Sequence, residues 1–448
     1  MDFYKLEKPD FSSIDAGGVL RRFTENPGNK YSAIMQVSEP KYLYWDDVKF
    51  KPIFSDMGHI EFWYLVKQIR KLSSRPTFLI AENGRPFVWL RLTYTDEFLH
   101  KIDTHTGGQI FATHEAISQE NRQKFVSRGI LEEAIASSQL EGANTTRPAA
   151  KQMILEKRQP RNRSERMIVN NYNTMLALDQ DYKKKELSKE LLFDLHHLIT
   201  KDTESIDQQY RYRRDSDNIV VQNSRYITHT PPRESFLQSQ ITRLITYANN
   251  KEGGGFIHPI IKAIFLHFWI GYLHPFTDGN GRLARALFYW YLLKNNYWTF
   301  MYLPISSIIK NSPSQYSNAY IYTEQDDLDL TYFYDYHMRK IMQSIDEFNT
   351  YLDKVINENK QIDSLLGKNY ILNARQKQLV HYLLAEDEYA YVTVSSHGVL
   401  NRIGRITAAK DLKDLMGMEL LSSRKVGKFV HYHASDTVKN LNNKNPLK

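Results

Sequence analysis

Apolar residues recur at the spacing of an α-helix over most of the chain between residues 115 and 352. In the segment 119–142, for example, Leu131 and Ile135 lie one helical turn apart, and the run stops at Gly142, a residue type that often caps a helix C-terminus. This pattern predicts a mainly α fold.

The first 114 residues carry a weaker pattern, in which short apolar runs alternate with turn signals. One hairpin is predicted there, because Asn83-Gly84 stands between two apolar runs and Asn-Gly in that setting is a strong hairpin signal. We expect Thr77–Ile80 to pair with Phe87–Leu92. The region is therefore predicted to be of mixed structure.

A second hairpin is predicted inside the helical region, at residues 218–230. Residues with β-branched side chains stand on both sides of Asn223-Ser224, and a double proline follows. An irregular surface loop is the alternative.

The last part of the chain is predicted to form a separate module. Two helices followed by a strand pair around Gly427 are typical of a winged helix-turn-helix. The predicted elements are helices at Arg375–Leu384 and Thr407–Met416 and strands at Leu420–Ser423 and Phe429–His433. The predicted domains are a mixed region at 1–114, a helical core at 115–355, the module at 370–435 and a disordered tail at 436–448.

Composition narrows the functional classes. The chain of 448 residues contains no cysteine, which excludes disulfides, thiolate metal sites and a cysteine nucleophile. Its N-terminus lacks the basic start and apolar run of a signal peptide, and its longest apolar stretch is shorter than the ~20 residues of a membrane span. We therefore expect a cytoplasmic protein with no membrane partner. The net charge of +8 fits either a nucleotide or nucleic-acid partner or a solvated basic surface.

The candidate chemistry lies in the segment 273–293, between two helices that are apolar nearly all round. Gly279-Asn280-Gly281 leads into the second of these helices, and the N-terminus of a helix favours anions. Arg282 and Arg285 share a face of that helix, and their forked donors suit phosphate oxygens.

Two further residues complete this cluster. Asp278 is a candidate ligand for Mg²⁺ bound together with phosphates, and His274 has the pKa of a general base near neutrality. Taken alone, His274 is more simply a core histidine and the glycines a turn. Together with two arginines, an aspartate and an asparagine between buried helices, they predict a nucleotide phosphate site, although not a P-loop, because no Lys-Ser or Lys-Thr follows the glycines.

The segment HPFTDGNGRLAR resembles the Fic family motif HxFx(D/E)GNGRxxR at every fixed position, from His274 to Arg285. The resemblance implies a Fic-type helical core over about residues 115–350, with the hairpin at 218–230 as a flap that aligns a target's backbone by strand addition. It also implies a protein adenylyltransferase, which moves AMP from ATP to a Ser, Thr or Tyr hydroxyl of a target protein.

Residue roles follow from the same resemblance. His274 is the implied base, Asp278 holds Mg²⁺, and Arg285 meets the γ-phosphate. The other implied phosphate ligands are Gly279, Asn280, Gly281 and Arg282. Phe276 is the implied buried anchor of the loop, and Tyr316 and Tyr320 are the implied adenine contacts.

A second motif precedes the first in the chain. SSQLEG resembles the inhibitory motif (S/T)xxxE(G/N) of Fic proteins, with Ser137 and Glu141 at its fixed positions. The resemblance implies that Glu141 pairs with Arg285 and so keeps ATP in an unproductive pose. Without that motif context, Glu141 would be read as an exposed residue at a helix end.

Several alternatives stay open at this point. Glu141 could instead position a water that removes AMP from a modified protein. The C-terminal module could bind DNA as part of a transcriptional regulator, with Arg402, Arg405, Lys410 and Lys413 contacting phosphates, or it could dock a protein. The target protein, the oligomeric state and the use of another nucleotide donor are not fixed by the sequence.

Overall fold

The computed structural model describes residues 1–52, 54–104, 119–253, 255–366, 370–385, 390–427 and 429–444. Within these ranges the chain is mainly α-helical, which confirms the predicted fold class. In chain order the helices are α1 Ala16–Glu25, α2 Pro27–Ser38, α3 Trp45–Val48, α4 His59–Ser73, α5 Tyr94–Thr104, α6 Gln119–Leu140, α7 Arg147–Leu155, α8 Arg163–Ala177, α9 Lys189–Thr200, α10 Ile206–Gln209, α11 Glu234–Ala248, α12 Pro259–Leu273, α13 Asn280–Lys294, α14 Ile305–Lys310, α15 Pro313–Gln325, α16 Thr331–Leu366, α17 Ala374–Ala385, α18 Val394–Asn401, α19 Arg405–Gly417 and α20 Asp436–Lys444.

The strands form three antiparallel pairs, which are β1 Arg75–Ile80 with β2 Pro86–Trp89, β3 Val221–Gln222 with β4 Ile227–His229, and β5 Leu421–Val426 with β6 Phe429–Ala434. All three pairs were predicted, with boundaries that differ by a few residues. In the first, Gly84 sits at the turn with a φ of 77°, as an Asn-Gly hairpin requires.

The chain divides into two compact units. The first comprises Met1–Thr104, Ala177–Asn296 and Asn311–Ile341, and the second comprises His105–Leu176, Tyr297–Lys310 and Met342–Lys448. The predicted boundary between residues 114 and 115 lies outside the described residues. The other predicted domain boundaries remain predictions.

The core of the first unit is built on α12 and α13. In each of these two helices, 13 of the 15 residues are buried, so neither has a solvated face. Aromatic rings fill the surrounding space: Phe87 of β2 packs edge-on against Phe268, and Trp89 packs against Phe265. The first β-hairpin thereby covers α12, and the segment between α12 and α13 is held by two fully buried elements.

The N-terminal region is more helical than the sequence suggested, since α1 to α5 were not predicted. Arg70 of α4 is buried and donates to the carbonyl of Val37 in α2 and to that of Leu43, which follows α2. The guanidinium of Arg70 also lies 3.7 Å from the centre of the Tyr42 ring. The guanidinium is tolerated in the interior because these carbonyls satisfy its donors.

In the second unit, the C-terminal module contains α17, α18, α19 and the pair β5–β6. Helix α18 was missed, because the sequence pattern indicated only a turn there; Thr393 caps it by accepting from the backbone amide of Ser396. The prediction of a disordered tail is wrong for Asp436–Lys444, which form α20 and bury Val438 in the apolar core of the module. Residues 445–448 lie outside the described ranges, and the winged-helix assignment remains a prediction.

Among the described residues, no helix combines the length and the apolar content that crossing a membrane requires.

Candidate active site

The junction between α12 and α13 begins and ends with left-handed backbone. His274 caps the C-terminus of α12 at φ 45° and ψ 60°, and Gly279 precedes α13 at a φ of 83°. Left-handed backbone is uncommon for a residue with a side chain and is frequent where a site needs a particular side-chain direction. The loop therefore turns sharply twice within six residues.

Asn280 and Phe276 hold the loop in shape. The side-chain amide of Asn280 accepts from the backbone N–H of Phe276 at 2.9 Å and donates to the carbonyl of Phe276 at 2.8 Å. Both residues are buried, and the Phe276 ring stacks on the ring of His196 at 3.7 Å. Because the amide of Asn280 is engaged within the loop, the group that Asn280 offers to an anion is its backbone N–H at the helix start.

The arginines and Asp278 line the first turns of α13. Arg282 is fully buried, Arg285 is 3% exposed, and Arg282 donates to the carbonyl of Ile199 at 3.0 Å. One carboxylate oxygen of Asp278 accepts from the N–H of Gly279 at 2.6 Å and lies 3.4 Å from the Arg282 guanidinium. Two buried guanidinium groups beside one partly exposed carboxylate leave this helix N-terminus electropositive, which favours an anionic ligand.

Gly279 is required at its position for two reasons. Its φ of 83° is disfavoured for any residue with a Cβ, and a Cβ added there would lie 2.9 Å from Cγ2 of Thr200. The backbone of the loop thus lies directly against α9.

His274 is partly exposed, and its ring nitrogen Nδ1 lies 3.3 Å from the carbonyl of Gly271. Burial by the surrounding atoms, reinforced by the neighbouring His229 and Arg213, lowers the pKa of His274 to about 3, although the Gly271 carbonyl and Asp278 act in the opposite direction. The imidazole is therefore neutral near pH 7. With Nδ1 donating to the carbonyl, Nε2 is the nitrogen that can accept a proton.

Three residues that the sequence did not reveal position His274 and the loop. Arg213 is buried and donates from Nε to the carbonyl of His274 at 2.8 Å, and its backbone N–H donates to the carbonyl of Pro275. His196 contacts the carbonyl of Asp278 through Nε2 at 2.9 Å. Thr277 donates to Glu204 at 2.9 Å. Arg213, His196 and Glu204 are remote from the loop in sequence and belong to no motif. Only the folded structure shows that they hold the loop.

His229 is a second histidine near the loop. Its ring lies 6.4 Å from that of His274, and its two nitrogens contact Glu324 at 2.7 Å and the carbonyl of Tyr272 at 2.8 Å. Burial opposes the charged form, but Glu324 and the Tyr272 carbonyl outweigh it and raise the pKa of His229. Since His229 ends β4, the predicted flap reaches the immediate surroundings of His274.

The residue types present allow for a magnesium ion held jointly with phosphates. Within the described ranges, no group of three or more His, Cys, Asp or Glu side chains is arranged to hold a metal by itself. Asp278, with 31% of its side chain exposed, is the single carboxylate in the loop. A lone carboxylate fits Mg²⁺, which commonly binds through one or two carboxylates and the phosphates of a nucleotide.

Tyr316 and Tyr320 lie together on α15, with ring centres 5.4 Å apart. The Tyr316 hydroxyl contacts Nε2 of His267 at 2.9 Å, and Tyr320 packs on Phe268 and Phe333. Both belong to an aromatic cluster around α12. Their proposed contact with adenine remains a prediction.

The predicted inhibitory residues lie in the second unit. Ser137 is buried on α6, and Glu141 directly follows the last residue of that helix, next to Gly142 at a φ of 91°. Arg285 belongs to the first unit. The pairing of Glu141 with Arg285 therefore remains a prediction.

Comparison with known proteins identifies the region that contains this loop. Residues 186–292 match the model of the Fic/DOC family. Curated relatives include a protein adenylyltransferase Fic of Nematostella vectensis, 28% identical over 125 residues (26% of this chain, 27% of the relative), and one of Drosophila persimilis, 26% identical over 214 residues (46% and 39%). The chain thus spans less than half the length of the relatives it matches.

A solved Fic family protein from Desulfovibrio desulfuricans G20 is similar over 77% of this chain and 97% of its own, at 15% identity and a TM-score of 0.48.

Proposed function

We propose that this chain transfers AMP from ATP to a hydroxyl group of a target protein. The observation that carries the proposal is the junction of α12 and α13, where a neutral, partly exposed His274 stands beside a helix N-terminus that bears two buried arginines. The curated relatives named protein adenylyltransferase Fic support the same reaction class.

In this proposal the triphosphate binds at the start of α13. The backbone amides of Asn280 and Gly281 face the phosphates, and Arg282 and Arg285 neutralise their charge. The Gly279 amide, which donates to Asp278, joins them when Asp278 turns to Mg²⁺. Asp278 holds Mg²⁺, which when bound neutralises phosphate charge and orients the leaving group. Fixed donors placed before the reaction starts are the main contribution that a protein makes to phosphoryl-type transfer.

His274 acts as the general base. Its Nε2 takes the proton from the hydroxyl of the target, and that oxygen forms a bond to the α-phosphorus of ATP. The bond from the α-phosphorus to the bridging oxygen breaks, and pyrophosphate leaves. The low pKa of His274 keeps Nε2 free of a proton at neutral pH, so the base is ready before the target arrives.

We further propose that Glu141 inhibits this reaction by pairing with Arg285. A carboxylate on that arginine competes with the γ-phosphate, and the nucleotide then binds with its α-phosphorus out of line for attack. The change Glu141→Gly is expected to raise protein labelling by ATP radiolabelled at the α-phosphorus. The matched control is Glu156→Gly, which removes another carboxylate at a helix end, that of α7, and should leave labelling at the wild-type level. Equal labelling by the wild type and Glu141→Gly would reject the inhibitory role.

The reverse reaction is the alternative for Glu141. If this carboxylate positions water, the wild type will release AMP from a modified target and Glu141→Gly will not. Incubating an AMP-modified target with both proteins and measuring free AMP separates the two roles.

A second candidate function, binding of duplex DNA, is favoured by the surface of α19. Arg405, Lys410 and Lys413 are exposed, whereas the acidic Asp411 is buried and paired with Arg375 at 2.9 Å and with His397 at 3.0 Å. Asp414 of the same helix is partly exposed, so the solvent-facing side carries three basic groups and one acidic group. Exposed Arg424 and Lys425 on β5 add to this charge.

A gel-shift titration of the full chain at several salt concentrations tests this candidate. Lys413→Ala should weaken DNA binding for all sequences and lower the salt dependence by about one counterion. Lys377→Ala on α17 removes a lysine that is paired with Asp363 and should change neither quantity. Binding that is absent at low salt, together with capture of a protein through the exposed Ile406, would favour a protein-docking module instead.

A further inference from the structure

The N-terminal residues of the chain add a third strand to the hairpin β3–β4. The backbone N–H of Tyr4 donates to the carbonyl of Ile227 at 2.8 Å, and the N–H of Ile227 donates to the carbonyl of Asp2 at 3.0 Å. Phe3 and Ile227 thereby form a parallel bridge. The edge of β4 that faces away from β3 is thus occupied by Asp2–Tyr4.

This added strand is held mainly through its backbone. None of residues 2–5 is buried, and Phe3 is 42% exposed. The rings of Tyr4 and Tyr226 lie 5.6 Å apart on the surface. An element with few buried apolar contacts opens more readily than the core beneath it. Asp2–Tyr4 can therefore leave the edge without unfolding the unit.

The first buried residue of the segment is Leu6, which follows the added strand. Its N–H donates to the side-chain oxygen of Gln325 at 3.0 Å. The amide nitrogen of Gln325 donates in turn to the carbonyl of Tyr4 at 2.9 Å. Because Leu6 tethers the segment, Asp2–Tyr4 remain close to the edge even when they are released from it.

The occupied edge leads to the candidate base. His229 lies two residues after Ile227 on β4, and its ring is 6.4 Å from that of His274. Strand residues advance about 3.3 Å each, so a segment paired with Ile227 passes within two residues of the site. Beyond β4 the surface continues as a groove lined by Thr230, Tyr272 and Glu324.

The resemblance already implies that the β4 edge receives an extended segment of the target protein. We propose that Asp2–Tyr4 occupy this edge at Ile227 as a tethered competitor of that segment. The proposal rests on the proposed AMP transfer. An extended target segment takes over the two main-chain hydrogen bonds at Ile227, which align its hydroxyl with His274. The tethered segment has a high effective concentration, so only targets that pair well displace it.

A binding experiment without nucleotide tests the docking edge. The probe is a fluorescent peptide with the sequence of residues 1–8, titrated against full-length proteins and followed by anisotropy. Tyr4→Pro removes the N–H that donates to Ile227, whereas Phe3→Pro removes an N–H that does not join the strands. The two variants therefore introduce proline at neighbouring positions, and only one of these positions donates a hydrogen bond to β4.

The peptide is expected to bind Tyr4→Pro at least about tenfold more tightly than it binds the wild type or Phe3→Pro, because the tethered competitor is weakened only in the first variant. A peptide that carries proline at its own fourth position should not bind. Binding to none of the proteins, or equally to all three, overturns the proposal.

The second arm measures labelling in the Glu141→Gly background. Adding Tyr4→Pro should raise the labelling rate of target proteins several-fold, adding Phe3→Pro should leave it unchanged, and the free peptide should suppress it. A lower rate with Tyr4→Pro means that the segment braces the hairpin, and this overturns the competitor role. The peptide-binding experiment contains no ATP. If the peptide binds but no variant labels any protein, the result contradicts AMP transfer and still supports the competition at the β4 edge.

Discussion

Two junctions between helices in this chain begin alike but differ in the glycine that ends them, at a φ of 83° before α13 and −64° before α19. Both α12 and α18 end in a left-handed residue with a side chain, His274 at φ 45° and Arg402 at φ 49°. A glycine then stands immediately before the next helix in both cases, Gly279 before α13 and Gly404 before α19.

The two junctions differ in what surrounds them. In α13, Arg282 and Arg285 are buried, whereas at the start of α19 Arg405 is exposed and Ile406 is 88% exposed. A buried guanidinium needs an anion or a set of acceptors, but an exposed one is satisfied by water. A left-handed helix end of this kind can therefore belong to a small-molecule site when it is buried and to a surface for a large partner when it is exposed.

The largest expected difference comes from the two left-handed residues. In the Glu141→Gly background, His274→Ala should lower the rate of protein labelling by AMP at least about 100-fold, the loss typical for removal of a general base. Arg402→Ala, at the equivalent position of the other junction, should leave that rate within twofold. Initial rates with α-labelled ATP measure both. A similar loss in the two variants would mean that the rate depends on the integrity of the fold and not on the imidazole.

The two glycines should differ in stability. Gly279→Ala places a Cβ at a φ of 83° and 2.9 Å from Thr200, so we expect a loss of roughly 1–3 kcal/mol in the free energy of unfolding and a lower Tm. Gly404→Ala is expected to be nearly neutral, because its φ is −64° and no atom lies within 4 Å of the added Cβ. Thermal unfolding of the two variants tests the comparison, and equal Tm values would contradict it.

The smallest effect concerns pH. A histidine with an ordinary pKa near 6.5 loses about fourfold of its neutral form between pH 8 and pH 6. Since the pKa of His274 is lowered to about 3, its neutral form persists down to acidic pH, and the base is lost only as pH falls through that value. We expect the labelling rate of Glu141→Gly at saturating magnesium and ATP to change by less than twofold over this interval. A fourfold fall centred near pH 6.5 would show that His274 titrates normally.

The contiguous part of the candidate site could be predicted from the sequence. His274, Asp278, Gly279 and the two arginines lie in one loop and one helix start, so chain connectivity alone brings them together. Their burial was also predictable, because the flanking helices are apolar on all sides.

The supporting residues could not be predicted in this way. Arg213, His196 and His229 reach the loop from three other elements, and their contacts are with backbone carbonyls, which any sequence provides. Such contacts leave no residue pattern at a fixed spacing. The N-terminal helices are a different case, because α4 buries Phe62, Leu65 and Val66 at helical spacing, a local signal that was missed.

Local signals were misread in the C-terminal module. The stretch that forms α18 contains two serines, two valines and a glycine, which are weak helix formers, and Thr393 is its cap. The tail at Asp436–Lys444 is polar, but burial of Val438 stabilises it as a helix. In both cases tertiary packing overrides a weak local propensity.

The most direct test of the account asks which phosphorus reaches the protein. The Glu141→Gly chain is incubated with magnesium, a cell lysate and ATP that carries radiolabel at either the α- or the γ-phosphorus. We expect protein-bound label from the α-phosphorus only, and its loss in Glu141→Gly/His274→Ala. Label from the γ-phosphorus, or α-label that survives the loss of His274, would contradict it.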